Sequence, residues 1–331
     1  MIPGAPREAR WRRAEPRRSL PEGLIECILR EALPGRRALH REPLSGGMRN
    51  ANFKILLDGP PDAVVLRIYE HDPSLLEKET AIFQRLQDAV PVPEVLHAEP
   101  RGIEGSPPFT VTRFLGGITF HELKHTANRD AVAQAARSAG ATLAAIGCLR
   151  FSSAGWLGPH LAVGDPLLAG RDPVPRFVDL CLAQPLLQQR VPADWRARAH
   201  HLVWHWAPRL AEIDSDPRLV HGDFNRRNLL VECAAGRWQV SGILDWEFAV
   251  AGSPLADLGS FLRYEEPSAP LVEPYFSEGY RSAGGELPED WRRLARLLSL
   301  AALAESLTHE DLPDPIAREL VQLFIAHGAA R

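Results

Sequence analysis

His221-Gly222-Asp223-Phe224-Asn225-Arg226-Arg227-Asn228 is followed, after two apolar runs, by Ile243-Leu244-Asp245-Trp246-Glu247. An aspartate, an asparagine five residues on and a second aspartate seventeen residues beyond it decide how this stretch is read. Moving a phosphoryl group from a nucleotide to a hydroxyl needs one carboxylate beside the attacking oxygen and two further oxygen ligands for magnesium on the phosphates. An Asp-Asn-Asp set supplies all three if the chain folds back between them. Residues 229–232 and 238–244 are apolar and β-prone, and Ala234-Ala235-Gly236 between them reads as a turn. Asp223 therefore lies in a loop that leads into a predicted hairpin, and Asp245 lies just beyond that hairpin.

Upstream, the apolar spacing predicts a helix over residues 21–31, then strands over 52–57 and 63–69 around the turn Asp58-Gly59-Pro60-Pro61-Asp62. Arg67 is the one charge in the run Ala63-Val64-Val65-Leu66-Arg67-Ile68-Tyr69. Residues 73–86 read as a helix that carries Glu77 and Glu79 ahead of Ile82, Phe83 and Leu86, and residues 109–115 read as another strand, ended by Gly116-Gly117. From about residue 118 the pattern turns helical, with helices predicted over 130–148, 180–189, 195–213, 291–306 and 316–327.

Protein kinases place the same chemistry in the order H-R-D-x-x-x-x-N and then D-F-G. Here Gly222 stands for the arginine and Asp245-Trp246-Glu247 for the second motif. This variant resembles the aminoglycoside phosphotransferase and choline kinase family, whose members phosphorylate small molecules. The resemblance spans roughly residues 40–310 and is most specific over 221–259. It implies an α+β, protein-kinase-like two-lobed fold: a flexible Arg/Pro-rich tail over residues 1–20, a small β-rich N-lobe that binds nucleotide over 21–114, and a larger, mainly helical catalytic and substrate-binding C-lobe over 115–331.

The resemblance further implies ATP, or GTP, with Mg2+ between the lobes. Asp223 becomes the catalytic residue that accepts or orients the acceptor's hydroxyl proton, and Asn228 and Asp245 become the metal ligands. Arg67 corresponds to the strand cation on the α- and β-phosphates, with Glu79 favoured over Glu77 as its ion-pair partner. Ser45, Gly46 and Gly47 match the loop that covers the nucleotide, and Asn50 braces that loop. Thr112 and Phe114, in Thr112-Arg113-Phe114-Leu115, fall where the lobes connect and where backbone groups meet the adenine edge. Arg113 departs from the acidic residue common there. Asp257 resembles a buried aspartate that anchors the catalytic loop, and His221 reads as a scaffold residue. Glu247 is either a cation contact in the cleft or a structural hydrogen bond.

The remaining composition narrows the alternatives. The 331-residue chain is 45% hydrophobic with net charge −4, so no overall basic field argues for nucleic acid. No apolar run approaches the length of a membrane span, and no obligate protein partner is implied. Cys27, Cys148, Cys181 and Cys233 are scattered, which predicts reduced, mostly buried thiols in a cytoplasmic protein. There is no G-x-x-x-x-G-K-[ST] segment, which disfavours a Walker-type ATPase. A nucleotide sensor without turnover is disfavoured by the intact Asp223, Asn228 and Asp245. A protein kinase is disfavoured by the missing Ala-Pro-Glu segment. For the acceptor, Glu265, Glu266, Glu305, Glu310 and Asp311 are candidates to hold a cationic small molecule. Arg226 or Arg227 could instead reach a phosphate or an anionic one.

Overall fold

The computed structural model describes residues 22–44, 50–103, 105–166, 170–265 and 270–329. The predicted tail over residues 1–20, the glycine segment with Ser45, Gly46 and Gly47, and Glu266 lie outside the described residues.

Helix α1 (Glu22–Ala32) turns Ile25, Ile28 and Leu29 inward. Strands β1 (Ala38–Pro43), β2 (Ala51–Leu57) and β3 (Ala63–Ile68) follow, then α2 (Ser74–Leu86), β4 (Val95–Glu99) and β5 (Phe109–Arg113). The strands form one antiparallel sheet in the order β1-β2-β3-β5-β4. Period-two alternation decides which side chains it buries. Phe53, Ile55 and Leu57 of β2 and Val64, Leu66 and Ile68 of β3 pack against α1 in a small core. The same alternation sends Arg67, between Leu66 and Ile68, to the opposite face. That face meets α2, whose Ile82, Phe83 and Leu86 join the large core of the helical lobe.

The chain then runs through β6 (Ile118–Thr119), α3 (Phe120–Thr126), α4 (Arg129–Ile146), β7 (Gly155–Trp156), α5 (Pro173–Leu182), α6 (Pro185–Arg190), α7 (Ala193–His205) and α8 (Ala207–Ile213). Next come β8 (Arg218–Val220), β9 (Leu229–Ala234), β10 (Arg237–Ile243), β11 (Val250–Gly252), α9 (Leu255–Leu262), α10 (Tyr275–Ser282), α11 (Trp291–Ser306) and α12 (Asp314–Ala329). Two small three-stranded sheets follow, β10-β9-β6 and β7-β11-β8. They carry the loop from His221 to Asn228 and the turn after Ile243. The architecture is the α+β, two-lobed arrangement that the motif implied.

Two predicted helices are broken, and proline breaks both. The helix expected over 180–189 is α5, which starts earlier and ends at Leu182, then α6, which begins at Pro185. The helix expected over 195–213 stops at His205 and restarts as α8, with Pro208 in its first turn. A proline lacks the N–H that would continue the ladder and crowds the preceding turn, but it fits a first turn well. The thiols also depart from expectation. None of the four cysteines is in a disulfide, but only Cys181 is buried, while Cys148 and Cys233 are exposed. Among the described residues no helix is long and apolar enough to cross a membrane.

Candidate active site

β8 delivers the chain to His221, a fully buried side chain. Gly222 has φ +83°, and a Cβ there would lie 2.3 Å from the Phe248 carbonyl oxygen, so no other residue fits this turn. The carboxylate of Asp257 on α9 accepts the His221 and Gly222 backbone N–H groups at 2.7 and 3.0 Å. Burial pushes the Asp257 carboxyl up to about 7, against the pull of those donors. The His221 ring closes the loop from the other side. Its Nδ1 accepts the Asp223 N–H at 3.2 Å, so Nε2 carries the proton and donates to the Leu244 carbonyl at 2.9 Å. Burial holds this ring neutral, with its pKa pushed down to about 4. It also packs against the buried indole of Trp246, 4.5 Å between ring centroids.

Asp223 is held by two amides. Asn225 Nδ2 donates to Oδ1 at 2.8 Å, and Asn228 Nδ2 donates to Oδ2 at 2.8 Å and to the Asp223 carbonyl at 3.0 Å. Burial of the carboxyl raises its pKa to about 6, and the charge of Asp245 pushes the same way. The amides and the charge of Arg263 pull it down. The acceptors on Asp223 also fix which way the Asn228 amide points, because its nitrogen must face them and its oxygen must turn away. The Leu244 N–H donates to the Asn228 carbonyl at 2.8 Å, which ties the turn bearing Asp245 to this loop. Asp245 itself adopts φ +67°, a left-handed conformation that aspartate tolerates better than most residues. Two carboxylates and an outward amide oxygen make an all-oxygen donor set of the kind magnesium prefers. Asn228 and Asp245 therefore fit the ion on donor chemistry. Among the described residues no group of three or more His, Cys, Asp and Glu gathers for a metal, here or elsewhere, and the set here is two carboxylates and an amide.

Beside Asp245 lies a charged cluster built from both lobes. Arg67 Nη2 reaches Glu79 Oε1 at 3.0 Å, Glu247 Oε2 at 3.2 Å and Asp245 Oδ1 at 3.4 Å. Burial disfavours the guanidinium charge, but Glu79, Asp245 and Glu247 together outweigh it and raise its pKa. The Tyr69 hydroxyl donates to Glu79 Oε2 at 2.6 Å, and burial drives the Glu79 carboxyl up while Arg67 draws it down. Glu77, the competing carboxylate, instead lies 3.8 Å from His160 on the exposed side of α2. Asn50 Nδ2 donates to Glu247 Oε2 at 3.1 Å, and Lys78 Nζ donates to the Glu247 carbonyl at 2.6 Å. Glu247 thus combines the two roles that its sequence left open. Lys78 escaped the sequence reading, since only its place beside Glu79 hinted that it is buried. Arg67 Nε and Asn50 Oδ1 are buried without a partner, which leaves a donor and an acceptor available in this corner of the cleft.

The lobe connection is placed but partly spent. Thr112 pairs with Val65 and Val95 inside the sheet. The Arg113 N–H donates to Glu94 and the Phe114 N–H to Ala63, at 2.9 and 3.2 Å. Lys54 Nζ lies 4.4 Å over the Phe114 ring. Of the acids considered for a cationic acceptor, Glu265 is saturated. It accepts from Lys124 Nζ at 2.8 Å, Arg226 Nη2 at 3.0 Å, and the Val272 and Glu273 N–H groups at 2.8 and 3.2 Å. This also occupies Arg226. Glu305 pairs with His309 at 2.7 Å, and Glu310 and Asp311 are exposed between α11 and α12.

Residues 40–297 match the phosphotransferase enzyme family. Among solved structures, a thermostable mutant of aminoglycoside phosphotransferase APH(4)-Ia, in ternary complex with AMP-PNP and hygromycin B, aligns with a TM-score of 0.64 and 21% identity over 93% of this chain and 99% of that one. Wild-type aminoglycoside 2'-phosphotransferase-IIIa in its GDP complex aligns with a TM-score of 0.68 and 18% identity over 92% and 97%. A GDP and kanamycin complex of an enzyme of the same type gives a TM-score of 0.67 at 17% identity, covering 92% of this chain and 98% of that one. At these identities the likeness is one of fold.

Proposed function

Since the chain belongs to the phosphotransferase enzyme family, we propose that it transfers the γ-phosphoryl group of ATP or GTP to a hydroxyl of a small molecule held between the lobes. One observation carries this reading: Asn228 is hydrogen-bonded to Asp223, Leu244 ties the turn that bears Asp245 to Asn228, and Arg67 meets Asp245 from the other lobe.

The acceptor hydroxyl lies beside the Asp223 carboxylate. Its oxygen forms a bond to the γ-phosphorus, the bond from phosphorus to the β–γ bridging oxygen breaks, and the nucleoside diphosphate leaves with the electron pair. The hydroxyl proton passes to Asp223. With its pKa raised to about 6, that carboxylate is ionised at neutral pH yet basic enough to hold the proton briefly. Asn228 and Asp245 would hold Mg2+, whose charge offsets that of the phosphate oxygens. Arg67 lies on the α- and β-phosphate side, with Glu79 orienting its guanidinium and its unpartnered Nε available to an oxygen. Ser45, Gly46 and Gly47 are assigned to nucleotide binding, and Asn50 is tied to Glu247. Because Arg113 and Phe114 already spend their N–H groups, the purine edge is read by backbone from Leu115 onward, with Thr112 and Phe114 shaping the pocket wall.

The test is nucleoside diphosphate release with Mg-ATP or Mg-GTP and a hydroxyl-compound panel. Asp223→Asn keeps the shape but only one of the two amide contacts, since its own NH2 replaces an accepting oxygen. It should lower kcat by about 10^2- to 10^4-fold while the nucleotide still raises the melting temperature. Equal turnover by the variant removes Asp223 from the chemistry. Nucleotide binding without turnover in the parent protein turns the reading into that of a sensor.

A further inference from the structure

Helix α2 presents two faces to the rest of the molecule. Toward the cleft, Glu79 Oε1 accepts from Arg67 at 3.0 Å, and Lys78 donates to the Glu247 carbonyl at 2.6 Å. One position further round the helix, Thr80, Phe83, Gln84 and Gln87 recur at helical spacing and make a second stripe. That stripe looks toward β4, the edge strand of the five-stranded sheet. Between it and residues 95–98 of β4 lies a cavity of about 380 Å³. The cavity is separate from the catalytic cleft, since none of Arg67, Glu79, Asp223, Asn228 and Asp245 lines it.

Two features of its wall point to an occupant. The first is unmet hydrogen bonding. Thr80 Oγ1, on α2, and His97 Nε2, on β4, are both buried and neither has a partner. Groups that lose water without gaining a partner are costly, and one molecule between the helix and the strand satisfies both. The second is the backbone of β4. Its pairing with β5 slips between Val95 and His97, which leaves Leu96 as an extra residue, and a bulge of this kind re-aims the side chains beside it. Stacking on Phe109 then fixes the His97 ring, with 5.8 Å between centroids and planes 24° apart.

The same wall states the chemistry of the occupant. It offers a hydroxyl, a ring nitrogen and two side-chain amides, with Phe83 as apolar surface. No Asp, Glu, Lys or Arg lines it, so a charged group entering would lose its water and find no fixed counter-charge. A hydroxyl facing a ring nitrogen suits a ligand that carries an acceptor and a donor side by side.

We propose that this cavity is a second binding site, for a small uncharged carboxamide or lactam, and that its occupant is an effector. The ligand carbonyl accepts from the Thr80 hydroxyl, its N–H donates to His97 Nε2, and its apolar part lies on Phe83. Thr80 directly follows Glu79, so an occupant that braces α2 against β4 also keeps Glu79 aimed at Arg67. Nucleotide affinity therefore rises when the cavity is filled. The effector half rests on the phosphotransfer reading above, and the binding half does not.

The experiment uses the full chain and four probes built on one ring: benzamide, benzoate, benzylammonium and ethylbenzene. Ligand-detected NMR without nucleotide should show benzamide binding tightest, with a Kd of about 1 mM for so few atoms. Thr80→Val keeps the shape, and His97→Phe keeps the stack on Phe109. Each should weaken benzamide about tenfold, as expected for one lost hydrogen bond. A melting curve checks both variants, and if one fails to fold, the other and the four-probe comparison in the parent protein decide. At saturating benzamide, Mg-ADP should bind about fivefold tighter, and saturating Mg-ADP should tighten benzamide by the same factor. Four results overturn the proposal: no benzamide binding, which leaves water alone in the cavity; tighter binding of any other probe; a benzamide affinity unmoved in both variants; or displacement of benzamide by Mg-ADP. Unchanged Mg-ADP affinity overturns the effector half. Benzamide binding with no Mg-ADP binding at all overturns the phosphotransfer reading instead.

Discussion

The loop from His221 to Asn228 and the cluster around Arg67 adjoin at Asp245, yet they are held in different ways. The loop rests on hydrogen bonds within one lobe: a neutral histidine, two side-chain amides, and an aspartate whose oxygens take backbone N–H groups. The cluster rests on full charges from both lobes, with one guanidinium shared among three carboxylates. The His221, Asp223, Asn225 and Asp257 groups that hold the loop fit one mutual arrangement. Arg67 has several partners of similar distance, so an arriving phosphate can draw it from one to another at modest cost. The floor is thus preset, whereas the cluster, the nucleotide contact in the proposed function, has room to respond and joins the lobes.

Removing the anchor of the floor should break this contrast most severely. Asp257→Ala leaves two buried N–H groups without an acceptor, at about 1–3 kcal/mol each. Denaturant unfolding should therefore show a loss of about 4 kcal/mol, with turnover falling as the loop loses its shape. A loss below about 1 kcal/mol would mean that the loop is held by something else.

Acid should expose the next difference. The His221 ring titrates near 4 when folded and near 6.5 as a free side chain. The unfolded chain takes up that proton first, so this residue's support is intact above pH 6.5 and is lost as pH falls from 6.5 to about 4. Asp257, raised to about 7, acts with the opposite sign, losing its contribution as pH rises from 3.8 through 7. Comparison with His221→Asn isolates the ring. The stability gap between parent and variant should narrow by about 3 kcal/mol between pH 7 and pH 4. A constant gap would show that the ring is not held neutral.

The smallest effect belongs to the charged cluster. In Glu79→Gln, Asp245 and Glu247 still face Arg67, so the fold should lose only about 1 kcal/mol. Nucleotide KM should rise by about tenfold, because the guanidinium is no longer aimed from α2. A large loss of stability with unchanged nucleotide KM would reverse the assignment of which region is preset and which responds.

The parts that were legible in the sequence are those written in local order. The spacing of Asp223, Asn228 and Asp245 survives in the fold because one hairpin returns Leu244, next to Asp245, to the Asn228 carbonyl, and alternation in β3 sends Arg67 away from the small core. The choice of Glu79 over Glu77 follows from helix geometry, since Glu79 shares a face with Ile82, Phe83 and Leu86. The illegible parts depend on partners far away in sequence. Nothing near Glu265 announces that Lys124 and Arg226 fill it, or near Lys78 that it reaches the Glu247 carbonyl. β1 reads Ala-Leu-His-Arg-Glu-Pro and lies at a sheet edge where polar side chains meet solvent, so it lacks the apolar signal of a strand. The divided helices are hard to see in the sequence because apolar spacing continues across Pro185 and Pro208.

Gly222 has a consequence for control. In protein kinases an arginine at this place in the motif can read a phosphate added to a neighbouring segment, so that covalent signalling switches the enzyme on. Here the backbone conformation and the carbonyl of Phe248 bar any side chain. Such a relay has no receiver at this position.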